Sequence, residues 1–320
     1  MQERVPAPVG PAGSEIVVCG ERIEIGAPVV LWTQVPGYDA YRTLPRPKAG
    51  DTEHGLRYQP GRVRKTSAPP DGEPSAVDVL VEPGSTDRAR LAQVVDQFVL
   101  HYDACGTSRG CFRVLHEERG LSVHFLLDLD GTIYQTMDLR EQAFHATKAN
   151  ARSIGIEIAN VGAYPARTSA EPTPLDTWYR RDAAGPYVEI PARLEGGGLR
   201  TPGFVARPAR GERVVGVVQG AELAQYDFTP EQYLSLTQLT AALCRTFPRL
   251  AADAPRDASG AVASVALSAD EFERFGGILG HFHVQTNKHD PGPAFDWERF
   301  LGDVRAEMAA PLRSGDEVSP

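Results

Sequence analysis

No run of residues in this 320-residue chain approaches the roughly 20 consecutive apolar positions that span a bilayer, so no transmembrane helix is expected. Positive charge is in deficit: Lys and Arg total 33 against 42 Asp and Glu, a formal net charge of −9. That balance excludes a protein relying on a general basic field, and no nucleic-acid partner is expected. The N-terminus, MQERVPAPVGPAG, has no apolar leader segment, which makes the cytoplasm the expected compartment; periplasm or secretion is the alternative if a leader was removed. There is no P-loop and no Pro-Cys-x-x-Cys, which removes P-loop nucleotide hydrolases and zinc deaminases. Cysteine is scarce, with four residues, too few for a disulfide scaffold. Cys105 and Cys111 could close a small loop, or serve unbridged as two small apolar side chains; both readings stand.

What is present describes a globular protein. Apolar residues make up 42% and charged residues 23%, enough apolar material for a sizeable core. The length suits two domains at about 150 residues each, or one elaborated domain. Residues 1–75 hold eleven prolines and nine glycines and read as a β-rich extension, with short strands at 15–19, 22–25 and 28–32. The main domain is expected over 76–310, with an insert at about 164–228 and a flexible tail at 311–320. Within it, strands are expected at 77–81, 123–128, 132–135, 153–160 and 277–281, and helices at 85–91, 108–118, 229–247 and 297–308. Asp130-Gly131 marks a hairpin between two of these strands. Strands and helices interleave without a βαβ repeat, so the expected class is mixed α/β: a central mixed sheet flanked by helices.

Five of the eight histidines lie in or beside strand-like apolar runs: His101, His124, His145, His281 and His283. One such histidine alone reads as a hydrogen-bonded core residue. Several together, with Asp290 in a Gly/Pro-rich loop, offer the neutral imidazoles and single carboxylate that a catalytic Zn²⁺ takes, with a fourth position open. His283 competes with His281, since residues i and i+2 of a strand share a face.

Four blocks occur in order: HYDA (101–104), SVHFLLDLDGTIYQ (122–135), FHATKANARSIGIEIAN (144–160) and GHFHVQTNKHDPGPAFDW (280–297). Together they resemble the zinc-dependent N-acetylmuramoyl-L-alanine amidase family, which includes recycling amidases, phage lysozyme-type amidases and peptidoglycan recognition proteins. The resemblance covers about 85–305 and omits the N-terminal extension and the insert. It implies an amidase-like fold, a Zn²⁺ cofactor, and a peptidoglycan or muropeptide substrate cut between N-acetylmuramic acid and L-alanine. By position it implies His101, His281 and Asp290 as metal ligands, Glu157 and Lys288 as catalytic groups, and His124, His145 and Asn150 on the substrate side. His281 is preferred to His283 because it follows Gly280, and Asp290, where other branches carry Cys, points to the recycling type. The separation of His281 and Asp290 is one residue short of that type and one longer than the phage type. The Cys105/Cys111 pair is similar to a disulfide loop in peptidoglycan recognition proteins. A module that binds cell-wall fragments without cutting them is the alternative. In the insert, Trp178, Tyr179, Tyr187 and Phe204 either stack on sugar rings or pack on one another.

Overall fold

Period-two alternation of apolar residues builds the centre of the molecule, a computed structural model that describes residues 12–45, 54–64, 79–166 and 171–310. Seven strands form one mixed sheet: β1 Gly13–Val18, β2 Glu21–Leu31, β3 Gln97–Tyr102, β4 Phe125–Leu127, β5 Ile133–Gln135, β6 Ser153–Ile158 and β7 Gly277–Gly280. Their spatial order is β1-β2-β5-β4-β6-β3-β7. The pairs β1/β2 and β4/β5 are antiparallel, and the remaining neighbours are parallel. Five helices matter to the site: α1 Arg88–Val94, α2 Ser108–Phe112, α3 Pro230–Thr246, α4 His281–Val284 and α5 Trp297–Ala309. This is the mixed α/β class expected from the sequence.

One face of the sheet carries the core. Phe98 and Leu100 of β3, Ile154, Ile156 and Ile158 of β6, Phe125 and Leu127 of β4 and Ile278 of β7 are buried with Leu236, Leu239 and Leu243 of α3 and Phe300 and Val304 of α5. Burial of such a side chain contributes about 1.5–3 kcal/mol. Slipping β6 by one residue would turn its three isoleucines to the other face, so the core fixes the register, and the register decides which face receives Glu157. Helix α3 starts where expected: Thr229 Oγ1 accepts from Gln232 N, and Gln232 Oε1 accepts from Thr229 N.

Three expectations change. The strands expected at 22–25 and 28–32 are one strand, β2, which pairs with β1 over Glu21–Glu24 and with β5 over Val29–Leu31. Pro28, with no N–H to give, falls between those two paired runs. The helix expected at 108–118 begins as α2 and continues as a π-helical turn, Arg113–Arg119, closed by Gly120. The strand expected at 277–281 stops at Gly280, and His281 opens α4. The start of the 77–81 strand and the 311–320 tail lie outside the described residues.

The insert forms its own small structure. A three-stranded sheet of Tyr164–Pro165, Ala221–Gln225 and Val214–Val218 stands beside a hairpin, Tyr179–Asp182 with Gly185–Val188. Trp178 and Tyr179 are buried with Val161, Leu175 and Ala224, and Tyr179 stacks on Tyr226 at 4.0 Å. Tyr187 lies under the Arg207 guanidinium, and Phe204 packs on Leu129, Ala159 and Ala206. None of the four lines the cleft described next; they hold the insert together.

Candidate metal centre and its cleft

With the isoleucines of β6 committed to the core, Ser153, Gly155 and Glu157 face the other way, as do Val99 and His101 of β3. The parallel register sets Glu157 directly beside His101. Strand β7, on the other side of β3, delivers His281 just past its end, and the loop after α4 brings back Asp290. His101 Nδ1 and His281 Nδ1 lie 2.8 and 2.9 Å from the same Asp290 oxygen, Oδ2. All three residues are buried, and their donor atoms lie within 4.8 Å of one another.

The outer ring nitrogens are also engaged. His281 Nε2 lies 2.7 Å from Gln285 Oε1, and His101 Nε2 lies 3.1 Å from His145 Nδ1, whose Nε2 meets Ser153 Oγ at 3.1 Å. An amide oxygen only accepts, so His281 carries its proton on Nε2 and turns the Nδ1 lone pair toward the Asp290 carboxylate. Two acceptors at 2.9 Å call for a cation between them. Burial, then the neighbouring His281, pushes His101 down to about 4, so it is a neutral imidazole near pH 7. A buried carboxylate with two imidazoles presenting Nδ1 fits the donor chemistry of zinc.

A cleft of about 530 Å³ opens on this cluster, lined by Glu157, Lys288, His145, Asn150, Arg119 and Asp103 among others. Burial first, then Asp290 and Asp103, drives the Glu157 carboxyl well above its ordinary range, with Lys288 opposing. Asn150 spends Oδ1 on the backbone N–H groups of His145 and Ala146, fixing the turn that carries His145. Gly155 is needed beneath it, since a Cβ there would come within 2.5 Å of His145 Nδ1.

Two expected residues fall elsewhere. His124 is fully buried and does not line the cleft: Nδ1 accepts from Gly155 N, while Nε2 lies 3.0 Å from the Glu141 carbonyl and 2.8 Å from Arg62 Nη2. It supports the floor from within. His283 is not presented with His281, because on a helical turn residues two apart point in nearly opposite directions. Its Nδ1 accepts from Gly280 N and its Nε2 donates to the Ala263 carbonyl. Cys105 and Cys111 are separate thiols.

Sequence reasoning overlooked Gln285 and Asp103; their only signals are a glutamine one helical turn after His281 and an acid two residues after His101. It also set aside serine hydrolases for want of a Gly-x-Ser-x-Gly elbow, although Gly106-Thr107-Ser108-Arg109-Gly110 matches that pattern. Here Ser108 is buried and, among the described residues, its Oγ has no hydrogen-bond partner, so none of their histidines is placed to activate it.

Residues 91–189 match the family model described as N-acetylmuramoyl-L-alanine amidase. That stretch holds His101 and Glu157, while His281, Lys288 and Asp290 lie beyond it and arrive by folding. No curated protein matches the chain. Among solved structures, the complex of the E. coli N-acetylmuramyl-L-alanine amidase AmiD with anhydro-N-acetylmuramic acid-L-Ala-D-gamma-Glu-L-Lys is 16% identical over 65% of this chain, with a TM-score of 0.36. The match spans 57% of the AmiD chain. The N-acetylmuramoyl-L-alanine amidase LysC from Clostridium intestinale URNW is 15% identical over 67% of this chain and 88% of its own, with a TM-score of 0.35. An AmpD derivative is 18% identical over 66% and 86%, with a TM-score of 0.31.

Proposed function

Because the chain belongs, through residues 91–189, to the N-acetylmuramoyl-L-alanine amidase family, we propose that it hydrolyses the amide between N-acetylmuramic acid and L-alanine in peptidoglycan or muropeptides. His101, His281 and Asp290 would hold zinc. The observation that carries this reading is the meeting of two imidazole Nδ1 atoms and one carboxylate oxygen, from three distant segments, at the base of an open cleft.

An amide is a poor electrophile, and bound zinc supplies Lewis acidity toward its carbonyl. The protein's own groups do the rest. Glu157, beside His101 and half-buried, takes a proton from the attacking water on its carboxylate and returns it to the departing L-alanine nitrogen. Its raised proton affinity suits the return step. Lys288 has no ion-pair partner among the described residues, which leaves its ammonium charge for the oxygen that becomes negative as the amide carbon turns tetrahedral. His145 and Asn150 line the cleft, where they would border the sugar and peptide. His124, enclosed beneath the floor, has no route to the substrate and is assigned a supporting role.

The test combines metal analysis of purified protein with mass spectrometry of digests of polymeric peptidoglycan and of a soluble anhydro-muropeptide. Stoichiometric zinc, with free stem peptide beginning at L-alanine from either substrate, is the expected result. Zinc-loaded protein that binds the muropeptide and leaves it intact would favour the non-cutting module instead.

A further inference from the structure

The segments carrying His101, Glu157 and Asp290 are joined by a second set of contacts, away from the metal centre. Asp103, two residues beyond His101, accepts on Oδ1 from the backbone N–H groups of Cys105, Gly106 and Asn160 at 2.9, 2.9 and 3.1 Å. Asn160, three residues beyond Glu157, accepts on Oδ1 from Gln225 Nε2 at 3.3 Å. Gln225 Nε2 also donates to the Pro291 carbonyl at 3.1 Å, and its Oε1 accepts from Ala294 N at 3.1 Å. The amide orientation follows from its partners, since a backbone N–H only donates and a proline carbonyl only accepts. Asn160 and Gln225 are buried at 3% and 0% exposure.

Gln225 ends a strand of the 164–228 insert, and the loop after Asp290 runs so close to it that a Cβ on Gly292 would fall 2.1 Å from Oε1. Gly292 also has φ +87, a conformation suited to glycine. The same hairpin grips α4: Gln219 Nε2 donates to the Phe282 and Gln285 carbonyls at 2.7 and 3.1 Å. One insert thus touches both carriers of the later metal-ligand candidates.

We infer that Asp103, Asn160 and Gln225 are a chain of positioning residues that registers the three segments of the metal centre, with Gln225 lending the insert's rigidity to the Asp290 loop. The inference rests on the zinc reading above. Buried polar contacts have strict geometry, because a donor or acceptor left unpaired in the interior is costly. A loop held at Pro291 and Ala294 presents Asp290 in one position; released, it spreads the carboxylate over several. The insert's role is then to pre-form the metal site.

The experiment compares wild type with Gln225→Glu, which keeps an acceptor for Ala294 N but loses both donors, and with Asn160→Ser, which breaks the chain at another link. Val217→Thr, on the exposed side of the same hairpin, is the control. Zinc affinity is read by chelator competition, kcat and KM on an anhydro-muropeptide, and folding by thermal denaturation with saturating zinc. The expected result is zinc binding weakened roughly tenfold or more in both chain variants, the scale of losses when a support behind a metal ligand is removed, with kcat reduced and KM little changed. Folded variants that bind zinc like wild type overturn the inference. So does failure of both to fold in saturating zinc, which would make the chain general scaffolding. A wild type that binds no zinc would instead sink the zinc reading itself, and the two failures are told apart by that one measurement.

Discussion

Glu157 and His101 are Cα partners on adjacent parallel strands, both turned away from the core that fixes the register. The proposed proton acceptor and a metal-ligand candidate are thereby set side by side by the packing of Ile154, Ile156 and Ile158 on the opposite face. Replacing Glu157 by Gln keeps the shape and removes the proposed base. Turnover should fall by about 10²–10⁴-fold while zinc content stays at the wild-type level. Parallel kinetics and metal analysis check this; an active Glu157→Gln enzyme would transfer the proton role to another group.

His281 and His283 are separable by the same assay for a different reason. His281 turns Nδ1 toward Asp290, whereas His283 has both ring nitrogens tied to backbone groups. His281→Gln should abolish stoichiometric zinc binding. His283→Gln should retain zinc and lose thermal stability, since it disturbs two buried hydrogen bonds. Gln285→Ala, which frees the outer nitrogen of His281, should weaken zinc binding by about 10–100-fold. Chelator titrations rank the three, and the opposite order for the two histidines would reassign the ligand.

Much of this was legible along the chain, in the parts where local pattern decides structure. The alternation in residues 153–158 predicts a half-buried strand with Glu157 on the open side, and Asp130-Gly131 predicts the hairpin between β4 and β5. The cofactor-sized question of which histidines meet was harder. His281 ends a strand-like apolar run, but the chain turns helical at that residue as His283 Nδ1 accepts from Gly280 N. A side-chain hydrogen bond of that kind carries no periodic signal. His124 misled for a similar reason: alternation puts it on the site face, and only the folded chain shows Arg62 and the Glu141 carbonyl enclosing it. The part played by the insert was invisible, because Gln225 meets Pro291 and Ala294 across sixty-odd residues and no motif around Gln225 announces the contact.

The insert's aromatics yield a stability prediction instead of a specificity one. Trp178 is 8% exposed and packs against Gly106, where a Cβ would come 2.5 Å from its ring. Trp178→Ala removes a large buried side chain from a small core, and the cost should be about 3–5 kcal/mol. Denaturant unfolding should show that loss, while KM for a soluble muropeptide stays near wild type. A raised KM at unchanged stability would restore the sugar-stacking role.

Stability should also depend on pH through Asp128, at the end of the hairpin strand β4. Its carboxyl is fully buried; Oδ1 accepts from Leu129 N and Ser108 N, and Oδ2 has no partner among the described residues. Burial, reinforced by Asp130, pushes it up to about 8 from the ordinary 3.8, although the Leu129 N–H opposes. The folded protein therefore holds a proton there over a range in which the unfolded chain has released it. The stabilisation tied to that proton is fully present below about 3.8 and is lost as pH rises through about 8. Stability should fall with pH in this window by up to about 1.4 kcal/mol per unit. Asp128→Asn keeps the Oδ1 acceptor and cannot ionise, so its thermal midpoint should vary less between pH 5 and pH 8. Calorimetry of both proteins at several pH values measures the difference in slope, and parallel curves would assign the titration to another buried acid.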